Sequence, residues 1–302
     1  MKEDIRKFAR LGFVHQMLYP RSIEDPGYHV ESLTQFISRN DVETFDCCFP
    51  FGKEYRNRLI QVLKNCGKEF IASIHLTLMK KVNPSSVWAS EQGHTRLVFE
   101  DQIKLAGKAG ASGFIFGSGP GSPDAQKSES REAFSGFTRW FCSLLKQFGI
   151  KAVLEPFDTT IDKRYLYGPT IECVDFIRSL EPEIDNLGIN LDFAHIPLMF
   201  EDFAHAVRVT APCLKRVHLG NCVLKDTSSP WYGDKHPPIG FEGGEIDIPE
   251  LSEQLRLLLE DGYLNREKRA PLVMEMQPFP GLTAEETIAD TLERLEKAWD
   301  LV

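Results

Sequence analysis

The chain has 302 residues, 42% hydrophobic and 26% charged, an ordinary balance for a globular protein. Its 44 acidic against 35 basic residues give a formal charge of −9, which argues against a nucleic-acid partner, since such partners ask for a basic face. Seven cysteines without framework spacing fit a reducing, cytoplasmic compartment; the charged start MKEDIRKFAR lacks the apolar core of a signal peptide, and no apolar run is long enough to span a membrane.

Leu11 to Leu18 reads as a first strand, with His15 and Gln16 near its end and Pro20 closing it. Val30, Leu33, Phe36 and Ile37 then recur at helical spacing until Asn40-Asp41. Val42 to Phe49 is the second strand, with Cys47 and Cys48 read as packing, and Lys53 to Asn65 the second helix. Phe70 to Leu76 is the third strand and carries His75 at its end. Lys80 to Gly93 reads as an extended loop, followed by a helix from Thr95 to Gly107. The fourth strand, Gly113 to Phe116, runs into Gly117-Ser118-Gly119-Pro120-Gly121-Ser122, which is too rich in glycine for a helix and lacks the lysine-serine pair of a phosphate loop, so it reads as a wide turn.

Phe134, Phe137, Phe141, Leu144, Leu145 and Phe148 form a core-facing helical stripe, ended by Gly149. The fifth strand leads to Glu155-Pro156, and Thr170 to Leu180 is the next helix. Leu187 to His195, LGINLDFAH, is an apolar strand that stops on Asp192 and His195. A helix over about 200–209 precedes the seventh strand, which ends on His218. A long loop to Ile248, a helix from Pro249 to Glu260, the eighth strand to Glu275 and a helix carrying Ile288, Leu292, Leu295 and Trp299 complete the chain. Eight strand-helix units in strict alternation predict a parallel sheet closed into one (β/α)₈ barrel, with residues 1–302 forming a single domain.

Glu155, Asp192, His218 and Glu275 end strands five to eight, which are neighbours around such a barrel. Carboxylates seldom end buried strands unless they are paired or hold a metal. Three carboxylates with one imidazole suit Mn²⁺, Mg²⁺ or Co²⁺. His195, Asp234 and His236 form a second ring beside them, while His15 and His75 are expected to line the pocket. The loop from Asn221 to Ile248 carries Trp231 and Tyr232 ahead of Asp234-Lys235-His236, with prolines and glycines beyond, and suits either a lid that stacks on a sugar or a rigid flap. Lys163 and Arg164 meet a substrate anion or are plain surface.

The strand-end segments LEP at Glu155, DFAH at Asp192 and His195, VHLGN at His218, DKHPPIGFEGGEID from Asp234 and MEMQP at Glu275 resemble the xylose isomerase-like TIM barrels, a group of sugar isomerases and epimerases that also contains endonuclease IV. The resemblance to its ketose 3-epimerase branch implies one divalent ion, Mn²⁺ first and Co²⁺, Mg²⁺ or Zn²⁺ next, held by Glu155, Asp192, His218 and Glu275. Glu155 and Glu275 would then move the proton beside a substrate carbonyl through a metal-stabilised enediolate. Substrate contact falls to His195, with His15, His75, Trp231, Asp234 and His236 completing the pocket. The expected partner is a small sugar or sugar derivative, with homo-oligomerisation open. The same residues serve epimerisation, isomerisation, or elimination from a keto-sugar or oxidised glycoside. The endonuclease IV branch uses more ligands for three zinc ions. Here His75, His195, Asp234 and His236 stand at matching places beside the quartet, but Gly117-Ser118 replaces a histidine expected at the fourth strand. A sugar-binding protein without catalysis would call for a damaged quartet, and this quartet is intact.

Overall fold

A computed structural model describes residues 3–302. Eight parallel strands pair in chain order, and β8 closes on β1 to make a complete barrel. The strands are β1 (Ala9–Val14), β2 (Thr44–Cys47), β3 (Glu69–Ser73), β4 (Gly113–Phe116), β5 (Lys151–Leu154), β6 (Leu187–Asp192), β7 (Leu214–Gly220) and β8 (Ala270–Glu275). Between them run α1 (His15–Leu18) and α2 (Pro26–Ile37), α3 (Lys53–Asn65), α4 (Leu76–Met79) and α5 (Ala89–Ala109), and α6 (Lys127–Lys146). After β5 come α7 (Thr170–Leu180), α8 (His195–Leu198), α9 (Phe203–Thr210), α10 (Ile248–Glu260) and α11 (Ala284–Leu301). None of these helices is long and apolar enough to cross a membrane.

Side chains alternate across each strand, so every strand feeds two cores. The outward set packs against the helices. Phe114 and Phe116, for example, meet Phe99, Phe137 and Phe141. The inward set is split by chemistry. Ile71, Ile115 and Val153 make a small separate apolar cluster. A Cβ on Gly113 would stand 2.6 Å from Ile71, so glycine is what lets that cluster close. On the other side of the interior lie Thr44, Asp46, Asn190, Asp192, Arg216 and His218, all buried.

Several element ends differ from the sequence reading. The first strand ends at Val14, and His15 to Leu18 turn into α1, because the chain must bend over the barrel rim there. Likewise β3 ends at Ser73 and Leu76 to Met79 are helical. α2 begins at Pro26, set by the Asp25 cap on the Tyr28 amide. α5 begins at Ala89, so the expected loop from Lys80 is shorter. Phe148 lies beyond α6 and is 42% exposed, covering Gly107 at the end of α5 instead of joining the core stripe.

Candidate active site

Strand register decides which ligand-type residues meet. Asp192 on β6 pairs with His218 on β7, and Gly220 two residues on pairs with Glu275 on β8. A register shift between Ile189 and Asn190 puts Asn190 opposite Arg216 and Asp192 opposite His218, so both polar pairs face the interior. Glu155 follows β5 directly. One ligand atom each from Glu155, Asp192, His218 and Glu275 lies within 4.8 Å of all the others. His218 Nδ1 stands 2.6 Å from Glu275 Oε2, 3.5 Å from Glu155 Oε1 and 3.9 Å from Asp192 Oδ2.

Whether this group suits a divalent ion is answered by its own imbalance. Asp192 Oδ2 is buried and has no hydrogen-bond partner among the described residues, although Oδ1 accepts from the Ala194 amide. Burial, then the Glu275 carboxylate, push Glu155 up to about 8. Asp192 is raised as well, chiefly by burial. Burial also opposes the charge of Glu275, but the His236 and His218 imidazoles outweigh it and hold that carboxyl down to about 2. Glu155, Asp192 and Glu275 bring three carboxylates around the His218 imidazole, and a cation at their centre would relieve their mutual repulsion. Hard oxygens with one nitrogen are a donor set for such an ion.

Asn190 donates to Glu155 Oε1 at 2.7 Å and fixes that carboxyl. On the far side of His218, Nε2 meets Asp46 Oδ2 at 2.9 Å, and Asp46 is ion-paired with buried Arg216. Neither Asn190 nor Asp46 nor Arg216 was singled out from the sequence. The available signal was a polar residue two positions before a strand-end ligand, as in Asn190 before Asp192 and Arg216 before His218.

A second cluster adjoins the first. Asp192, His195 and His236 each offer a ligand atom within 4.8 Å of the others. Between the two histidines lies Asp234, whose Oδ1 is 2.7 Å from His236 Nε2 and 3.3 Å from His195 Nε2. His195 Nδ1 is 2.9 Å from the Pro156 carbonyl, an acceptor, so Nε2 faces the cluster without the proton in the neutral ring. Burial opposes charge on both rings, yet Asp234 raises His195 to about 10 and His236 to about 9. Lys163 Nζ closes this network at 2.6 Å from Asp234 Oδ2. The lysine that could have met a substrate anion is therefore already engaged.

A cavity opens above the Glu155, His218 and Glu275 side chains. Its floor is Glu155, His218, Glu275 and Asp46, while Ile74, Leu76, Met79, Val82, Pro84 and Phe157 make its wall an apolar one. Tyr165 and the Gly117–Gly119 turn complete the rim, and among the described residues no lysine or arginine lines it. Gln16 and Ser73 are polar exceptions in the wall: Gln16 Nε2 donates to Ser73 Oγ at 3.2 Å, and its buried Oε1 has no partner among the described residues.

Of the other expected pocket residues, His195, Asp234 and His236 stand with Asp192 in the second cluster, away from the cavity lining, and the rest go elsewhere. His15 stacks on Tyr19 at 4.9 Å and meets Ser32 Oγ at 3.0 Å, in the aromatic layer between β1 and α2, because the chain has already turned helical there. His75 caps α4, its Nδ1 accepting from the Thr77 amide, and its ring rests on Phe51. Trp231 packs on Phe241 of its own loop, 5.3 Å between ring centres. The backbone of that loop is tied to side chains at several points. Asn221 Nδ2 donates to the carbonyls of Pro238 and Ile246, Asn221 Oδ1 accepts from Ile246, and Gln277 holds Lys235 and His236 by their carbonyls. Glycine at 220 makes room for it, since a Cβ there would come within 3.0 Å of His236 Nδ1.

Residues 36–298 match a family model described as xylose isomerase-like TIM barrel. No curated protein matches the chain. Among solved structures, a D-tagatose 3-epimerase-like protein superposes with a TM-score of 0.72 at 18% identity, covering 97% of this chain and 99% of its own. The 3-keto-D-glucoside 4-epimerase of E. coli follows with 0.69 at 15% identity, over 95% and 99% of the two chains. A family 2 AP endonuclease from Brucella melitensis gives 0.68 at 16% identity, over 94% and 98%.

Proposed function

The chain belongs to the xylose isomerase-like TIM barrel family, and from that premise we propose that it is a single-domain, metal-dependent sugar isomerase or epimerase. The observation that carries this reading is the convergence of Glu155, Asp192, His218 and Glu275, three of which form the floor of a largely apolar cavity. These four residues would hold one divalent ion, Mn²⁺ by donor type. Bound there, such an ion supplies the Lewis acidity that makes a C–H beside a carbonyl acidic enough to remove.

The protein's own groups do the rest. Glu155 and Glu275 come from β5 and β8 and flank the His218 imidazole from two sides. One takes the proton and the other returns it, so the new C–H can form on the opposite face of the same carbon. Asn190 keeps the Glu155 carboxyl aimed into the cavity. His195 and His236, linked through Asp234, stand beside Asp192 and complete the polar side of the centre. The apolar wall excludes water from the reacting carbon. With no lysine or arginine in that wall and three carboxylates at its floor, a phosphate group has nothing to meet, so the reading favours an unphosphorylated keto-sugar or keto-glycoside.

A second reading, phosphodiester hydrolysis at several metals, draws on the cluster of Asp192, His195 and His236. It is weakened by the Lys163 ammonium beside Asp234, which already answers the charge there, and by His75, which caps α4. One experiment addresses both. Protein loaded with Mn²⁺ is incubated in D₂O with ketohexoses and 3-keto-glucosides, and protein loaded with Zn²⁺ with duplex DNA containing abasic sites. Deuterium entering the carbon beside the carbonyl of at least one sugar, with intact DNA, is the expected result. Product analysis then separates epimer, isomer and elimination product. Efficient incision without any sugar exchange would reverse the assignment.

A further inference from the structure

We infer that Asp46 is a positioning residue of the centre: backed by Arg216, it aims the His218 imidazole so that Nδ1 points at the ligand cluster. This rests on the divalent-ion reading above. β2 and β7 are not neighbours in the barrel, so the contacts between them cross its interior. Thr44 and Asp46 lie two apart on β2, and Arg216 and His218 two apart on β7, so each pair faces inward together. The four side chains meet in the middle. His218 Nε2 is 2.9 Å from Asp46 Oδ2, Arg216 pairs with Asp46 Oδ1, and Arg216 Nη2 donates to Thr44 Oγ1 at 3.2 Å.

A neutral imidazole carries one N–H. A carboxylate can only accept, so Asp46 keeps an N–H on Nε2, and a cation bound at the centre would take the Nδ1 side in place of the proton that Glu275 Oε2, 2.6 Å away, otherwise accepts. Nδ1 is the atom that stands among Glu155, Asp192 and Glu275. Arg216, bonded to Asp46 Oδ1, holds that carboxyl in its orientation.

A purely structural role explains the pair poorly. Arg216 and Asp46 are each 1% exposed, and a buried ion pair of this kind is often matched or bettered in stability by apolar residues of similar size. An arginine in a barrel core therefore needs a reason other than stability. Orienting a ligand histidine is such a reason, and partners of this kind matter for metal affinity by about 10- to 100-fold.

The test measures Mn²⁺ binding by calorimetry on metal-free protein. Asp46→Asn should bind Mn²⁺ about 10- to 100-fold more weakly than wild type. Because that variant leaves Arg216 unpaired and is at risk of misfolding, the double variant Asp46→Leu/Arg216→Met carries the test independently. It should unfold at or above the wild-type temperature when metal-free and still show the weakened Mn²⁺ binding. A folded double variant with wild-type Mn²⁺ affinity overturns the positioning role while leaving the metal centre standing. A wild type that binds no divalent ion removes both.

Discussion

Glu155 and Glu275 share one imidazole, yet their surroundings pull them apart. Burial and the neighbouring carboxylates push Glu155 up to about 8, while two imidazoles hold Glu275 near 2. Groups so placed compete for too little positive charge. Removing one carboxylate charge should therefore remove the pull on a cation more than it disturbs the fold, since the apolar plug of Ile71, Ile115 and Val153 lies on another part of the interior. Asp192→Asn and Glu275→Gln are expected to lose most of their divalent ion, read by elemental analysis of purified protein, with circular dichroism unchanged. Full metal content in both variants would falsify the ligand assignment.

At the scale of the element, the connection between β7 and α10 is the longest on the catalytic face and the least like a free loop. Its backbone is tied to Asn221, which is fully buried and serves four groups: the carbonyls of Pro238 and Ile246, the Ile246 amide and the Cys222 amide. Asn221→Ala strands these groups out of reach of water. An unsatisfied buried polar group costs about 1–3 kcal/mol, so a loss of roughly 2–4 kcal/mol of unfolding free energy is expected after partial rearrangement. The same variant should be cut by protease between residues 222 and 246 while wild type resists. Equal stability and equal resistance would mean that the flap is held by its apolar contacts alone. Since this flap carries Asp234 and His236, its rigidity also sets how well the second cluster is aimed.

For the whole molecule, closure of the barrel buries histidines that have no business with the active site. His29 on α2 is held down to about 4, mainly by burial, and His15 against it is lowered in the same direction for the same reason. In the unfolded chain both titrate near 6.5. Above that pH both states are neutral and nothing is lost. As pH falls from about 6.5 towards 4 the unfolded chain takes up a proton that the folded protein refuses, so stability declines. For His29 alone the decline amounts to about 3 kcal/mol. Urea unfolding of wild type between pH 7 and pH 4.5 should show a falling midpoint, and His29→Asn should flatten that fall. Identical slopes for the two proteins would mean that other groups govern acid sensitivity.

By itself the sequence determined the alternation of eight strands with helices, and with it the parallel barrel, because apolar runs and helical spacing are local properties of neighbouring residues. It also marked Glu155, Asp192, His218 and Glu275, since a charged residue closing an apolar strand is visible without any partner. Tertiary structure decided what those residues meet. The Ile189/Asn190 register shift, the cross-barrel contact of Asp46 with His218, and the engagement of Lys163 by Asp234 all join residues far apart in the chain. His15, His75 and Trp231 show the converse. Each stands near a strand end or in a catalytic-face loop, but where a side chain points depends on how the backbone turns at the rim, and one helical turn after Val14 was enough to send His15 into the packing layer.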